Sequence, residues 1–178
     1  MTEQTRAVFE NPELLREKLA IFLRKPEKVE IYAKAAEKFF SAGGRQKLKY
    51  TSTWSWWGFF GALFGAPWFF LYRKIYVIFF VALAALWIGR VIFSDIFMPG
   101  SSDVWLDVVW QLIFAITCAQ LSKFTVIDRF SKALDSDELE NKGGVNPWGI
   151  YIPIGIIVIY AIYGFIIGFI EGFNNAMP

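Results

Sequence analysis

The sequence predicts an all-α membrane protein with three transmembrane helices, an aromatic re-entrant or interfacial segment and an N-terminal cytoplasmic helical hairpin. Three observations carry that class. The 178 residues are 56% hydrophobic, 19% aromatic and only 19% charged, where a soluble domain is about 45–50% apolar and about 25% charged. Mean hydropathy is +0.41, and a soluble chain this small buries only about 70% of its unfolded surface. The apolar residues are also unevenly placed: residues 1–50 are polar and charged, while four apolar stretches follow Trp54.

Residues 1–50 read as the hairpin. Asn11-Pro12 is an N-cap residue followed by proline at the first helical position, and Leu15, Leu19 and Phe22 then form one apolar stripe. Pro26 opens a second helix with Val29, Tyr32, Ala33, Ala36 and Phe40 on one side, closed by Gly43-Gly44. The apolar face either packs on the protein's own membrane part or lipid surface, or docks a partner. No basic start, apolar core and cleavage site of a signal peptide precede it.

Residues 51–74 form the aromatic element. The apolar run 56–71 is 16 residues long, is interrupted by Gly58, Gly61, Gly65 and Pro67, and ends in Arg73-Lys74. That length suits a re-entrant or interfacial segment better than a span. Trp54, Trp56, Trp57, Trp68, Tyr72, Arg73 and Lys74 are its expected interfacial anchors. Gly61, Gly65 and Pro67 are expected to allow a bend.

Residues 75–121 hold the first two transmembrane helices. The run 75–93 is 19 residues, about 28 Å of helix against a hydrocarbon core of about 30 Å. The run 104–121 is more polar, carrying Asp107, Gln111, Thr117 and Gln120. A cytoplasmic loop or helix over 122–148 continues from it, with Ile127, Phe130 and Leu134 as a stripe and Gly143-Gly144 at its end. Residues 149–178 contain the third span, the charge-free run 149–170, and an outer tail. The strings GGRQKLKYTSTW and GGVNPW each place a double glycine before a Trp that opens a membrane segment. Both express the same physics of helix end, polar link and interfacial indole.

Charge sets the orientation. Eleven Lys and Arg lie in residues 1–50, two at Arg73-Lys74, one at Arg90, four in 122–148 and none beyond. With the aromatic element confined to one leaflet, the three basic clusters fall on one side and the links carrying Asp95, Asp103 and Glu171 on the other. This satisfies the positive-inside rule and puts the N-terminus in the cytoplasm. Basic residues at 45–49 and at Arg73-Lys74 then lie near anionic headgroups, each contributing about 1 kcal/mol.

The chain has no His and one Cys, Cys118. Imidazole acid–base chemistry, His-ligated metals, Cys–His nucleophiles and intrachain disulfides are thereby excluded, and no catalytic, metal or cofactor-binding residue is expected. A net charge of +2 with interleaved acids argues against nucleic acid as a partner. Arg90 and Asp107 are the charges well inside expected spans, at a similar outer depth, and either pair with each other or snorkel to the interface. Gly164, Gly168 and Gly172 recur every fourth residue as a helix-packing stripe. Its partner is either the chain's own spans or a second copy.

Phe64-Gly65-Ala66-Pro67-Trp68-Phe69-Phe70-Leu71-Tyr72-Arg73-Lys74-Ile75-Tyr76, with Trp54-Ser55-Trp56 upstream, resembles a widespread group of small bacterial inner-membrane proteins, the domain-of-unknown-function family 2628. Gly61-Ala62-Leu63 stands where that group carries a denser Phe run. The resemblance implies a multi-pass protein of the bacterial inner membrane and no defined activity. The expected function is a non-enzymatic accessory, assembly or scaffold subunit that binds other membrane proteins or itself within the lipid bilayer. The alternative is a small oligomeric channel or transporter with Asp107, Gln111 and Thr117 along a polar path.

Overall fold

The computed structural model describes the backbone of residues 1–97 and 104–176, and the side-chain surroundings of residues 1–92 and 105–170. Every regular element among them is a helix: α1 Glu3–Glu10, α2 Pro12–Leu23, α3 Val29–Ala42, α4 Trp56–Leu63, α5 Trp68–Tyr72, α6 Tyr76–Phe97, α7 Val104–Asp135, α8 Leu139–Lys142 and α9 Trp148–Ala176. Asp95 and Asp103 lie outside the described side chains.

The N-terminal part contains the expected pair of packed helices, α2 and α3, with a further helix, α1, before them. Helix α2 starts where the capping signal places it: the Asn11 side chain accepts from the amides of Glu13 and Leu14 at 3.0 and 3.2 Å. Helix α1 comes before it, too short at eight residues to display a helical period. It is held instead by a distant group. The Asp135 carboxylate accepts from the Thr2 amide, the Thr2 hydroxyl and the Thr5 hydroxyl at 2.9, 2.7 and 2.6 Å. After Arg24 in the left-handed region, Pro26–Lys28 makes one 3-10 turn into α3.

The 32 residues of α7 span about 48 Å and serve two neighbourhoods. Its second half is the centre of the N-terminal cluster, where Val126, Ile127, Phe130 and Ala133 are buried against α1, α2 and α3. The Phe130 ring meets Phe9 at 5.8 Å and Phe22 at 5.4 Å, aromatic contacts that contribute about 0.5–1.5 kcal/mol each beyond their area. Its first half carries α4 and α6.

The aromatic element is a hairpin of two short helices. Helix α4 lies antiparallel on α7, with Gly58 against Ser122 at one end and Ala62 beside Gln111 at the other. A turn through Gly65 (φ 87°) and Pro67 reverses the chain into α5. The bend therefore uses Gly65, while Gly61 serves a different purpose. A Cβ there would stand 3.2 Å from the Phe69 amide nitrogen, so Gly61 lets α5 close onto α4.

Helix α6 packs on α7 through another glycine. Trp110 fills the hollow over Gly89, and its indole N–H donates to the Leu86 carbonyl at 3.0 Å. Helix α9 is anchored at its foot, where Gly149 rests on the Tyr72 backbone and the Asn146 amide donates to the Tyr72 carbonyl at 2.7 Å. Trp105–Asp135 and Trp148–Ile170 are long and apolar enough to cross a membrane, and α6 has a shorter apolar stretch, Tyr76–Ile92. Three spans are expected from the sequence; two helices meet the requirement over the described residues.

The Gly58 contact yields a direct test. Its Cβ would sit 2.0 Å from the Ser122 hydroxyl, so Gly58→Val is expected to destabilise by about 1–3 kcal/mol through overpacking. Thermal unfolding in detergent should show a lowered midpoint. An unchanged midpoint would mean that α4 does not pack this closely on α7.

Candidate functional site

Polar side chains set among apolar ones fall into two groups. The first lies along the first half of α7. The Arg90 guanidinium pairs with both carboxylate oxygens of Asp107, Nε–Oδ1 being 2.8 Å and the second contact running from Nη2 to Oδ2. Both side chains are about half exposed. One turn further along, the Gln111 amide donates to the Ala62 carbonyl at 2.6 Å, satisfying an acceptor near the end of α4. The Thr117 hydroxyl donates to the Ile113 carbonyl at 2.9 Å within the helix itself. The groups expected to line a polar path are thus each engaged: Asp107 by Arg90, Gln111 by α4 and Thr117 by its own helix.

The second group surrounds Arg73 at the end of α5. Helix α5 stops there because the next residue, Lys74, turns left-handed (φ 58°). The turn is braced from outside: Arg129 donates to the Lys74 carbonyl, and Lys74 Nζ donates to the Gly143 carbonyl at 3.3 Å. This brace directs the Arg73 side chain inward, toward α3. The residue is only 8% exposed. Its guanidinium carbon lies 5.2 Å from the Tyr32 ring centre and 5.6 Å from that of Tyr72, a cation–π contact with each ring.

Two of its donors, Nε and Nη1, have no hydrogen-bond partner among the described residues. Burial raises the Tyr32 hydroxyl pKa above its ordinary value against the opposing pull of the Arg73 charge. Tyr32 is therefore neutral at physiological pH and supplies no counter-charge. Leaving a buried charge without a partner costs about 3–5 kcal/mol where it has been tested by removing one member of a pair.

Arg73 borders a cavity of about 520 Å³ whose other charged residues are Lys25, Lys28 and Lys123 against a single carboxylate, Glu27. Trp54, Trp56 and Trp57 form its aromatic wall. The Trp57 and Tyr72 rings, 6.4 Å apart and edge to face, also border a second, apolar cavity of about 220 Å³ between α4, α5 and the foot of α9.

The expected anchors thus divide. Trp54, Trp56 and Trp57 are exposed at 38, 63 and 55%, Trp68 is half-buried with its indole donating to the Phe64 carbonyl at 3.3 Å, and Tyr72 and Lys74 are half-buried. Arg73 departs from the surface role expected of it. It is not free to reach headgroups around the protein, because Tyr32 and Tyr72 enclose it. Tyr32 carried a signal only as a member of an apolar stripe, and Lys25, Lys28 and Lys123 carried none, being far from Arg73 in sequence. The glycine stripe is likewise placed in the open. Among the described residues a Cβ at Gly164 or Gly168 would meet nothing within 4 Å, and Gly172 lies outside the described side chains.

No protein-family model matches the chain, and neither curated proteins nor solved structures yield a match.

The Arg90–Asp107 pair can be measured by a double-mutant cycle. Asp107→Ala leaves Arg90 unpartnered and is expected to destabilise more than Arg90→Ala/Asp107→Ala, with a coupling of about 0.5–2 kcal/mol. Unfolding of the four proteins in the same detergent reads it, and strictly additive effects would deny the coupling.

Proposed function

We propose that this protein is a non-enzymatic accessory or assembly subunit of the bacterial inner membrane, built to hold another membrane protein through α9. Three spans, α6, α7 and α9, cross with the N-terminus in the cytoplasm, and α4–α5 forms a re-entrant hairpin. The return of Tyr72 to the level of Trp57 supports the re-entrant geometry. The surplus length of α7 over a hydrocarbon core of about 30 Å supports a cytoplasmic place for its second half, where α1–α3 coat it. The inner-membrane assignment follows what the resemblance of residues 54–76 to family 2628 implies.

The observation that carries the reading is the exposure of α9. None of its apolar window is buried, and its principal packing on a described helix is near the foot, against α5. A helix kept only to anchor the chain needs no smooth face, yet Gly164 and Gly168 offer one that none of the described residues occupies. Small residues of this kind let a second helix approach closely in lipid, where packing and not hydrophobicity drives association. The engagement of Asp107, Gln111 and Thr117 inside the fold favours this reading over a polar conduction path.

Site-specific photo-cross-linking in the source membrane tests it. A photoreactive residue at Ala161, beside the glycine face, is expected to give a discrete protein adduct, and one at Ile166, on the opposite face, to label lipid. Gly168→Leu should abolish the adduct while leaving thermal stability within about 0.5 kcal/mol, as for a substitution with no neighbours. Protein adducts absent from both faces, or equal on both, would sink the proposal.

A further inference from the structure

We propose that the Arg73 cavity is a binding site for the phosphate of an anionic phospholipid, one of whose acyl chains lies in the apolar groove at the foot of α9. The site requires the protein to sit in a membrane but is independent of what α9 binds.

Arg73 states the requirement for an anion. Its guanidinium is more than nine-tenths buried, borders the cavity and keeps Nε and Nη1 unused. A guanidinium hydrogen-bonds phosphate oxygens in a planar geometry that ammonium groups lack, and the unused Nε and Nη1, on separate edges of it, leave each edge a donor to offer. The Tyr32 and Tyr72 rings hold its plane in place before any ligand arrives, so little side-chain freedom remains to be lost on binding. Around it, Lys25, Lys28 and Lys123 outnumber Glu27. The cavity is therefore cationic with Arg73 at its wall.

The groove names the bearer of the phosphate. Trp57 and Tyr72 border both cavities, the cationic one and the apolar one. The second is closed by Phe60, Phe64, Trp68 and, from α9, Pro153 and Ile157. A free phosphate uses the first cavity and leaves the second empty. An amphiphile with an anionic head and a hydrocarbon chain fills both, head on Arg73 and chain past the Trp57–Tyr72 edge. Exposed Trp56 and Trp57 mark this boundary as the depth at which indoles prefer to sit, between headgroup and chain.

Native mass spectrometry of the full chain in detergent decides it, with phosphatidylglycerol and phosphatidylcholine of identical chains offered at equal concentration. The wild-type protein is expected to retain one phosphatidylglycerol about tenfold more than phosphatidylcholine, the size of effect that hydrogen bonds to a charged group produce. Arg73→Met should lose that preference with little change in thermal stability, since the two ring contacts it gives up are offset by relieving two buried unbonded donors. Lys28→Gln, at an exposed position, should weaken the preference severalfold and serves should Arg73→Met fail to fold. Equal retention of the two lipids by the wild-type chain, or an undiminished preference in both variants, overturns the site. Displacement of the lipid by millimolar inorganic phosphate overturns the lipid and reassigns the cage to a free phosphate.

Discussion

The close approach of α4 to α7 at Gly58 positions most of what is distinctive in this molecule. With no side chain at that point, the backbone of α4 settles against Ser122 and Cys118, and the two helices share the most extensive contact in the fold. The hairpin then has a fixed wall to turn against. Gly65 reverses the chain, Gly61 admits α5 beside α4, and the end of α5 presents two consecutive residues to two different neighbours. The Tyr72 backbone becomes the seat for Gly149 and the foot of α9, and the Arg73 side chain turns inward beneath Tyr32. One small residue on α4 thus sets both the support for the foot of α9 and the geometry around Arg73.

Polar groups in apolar surroundings are costly unless paired, and this protein pairs nearly all of those on its central helix. Arg90 takes Asp107, Gln111 takes a carbonyl of α4, Trp110 takes a carbonyl of α6, and Thr117 and Ser122 bond back into α7. Each such bond contributes about 0.5–1.5 kcal/mol net, but leaving the group unmade costs more. Set beside these, the two idle donors of Arg73 stand out, and their placement at a cavity with three lysines gives the exception a chemical direction.

Legibility in the sequence followed the range of the forces. Asn11-Pro12, the apolar stripe of Leu15, Leu19 and Phe22, and Gly43-Gly44 report local capping and periodicity, and the helices begin and end close to where they indicate. The run 56–71 carried its own break in Gly65 and Pro67, and the chain turns there. Helix α1 was invisible because the group that holds it, Asp135, lies at the other end of a core helix. The cage was invisible for the same reason, since Lys25, Tyr32, Arg73 and Lys123 come from four separate parts of the chain. Glycine misled in one respect: the regular stripe at Gly164 and Gly168 meets none of the described residues, while the isolated Gly58, Gly89 and Gly149 each receive another helix or a ring.

The sequence by itself determined the helical class, the concentration of apolar mass after Trp54, the shortness of the aromatic element and the absence of imidazole chemistry. These follow from composition and from interactions within a few residues, which any window of the chain displays. Tertiary structure alone decided that α7 is both a membrane-length helix and the core of the N-terminal cluster, that Arg73 is buried instead of exposed, and that the apolar window of α9 is left uncovered by the described residues. Those outcomes depend on which backbone can approach which, a matter settled between glycines and side chains far apart in the sequence.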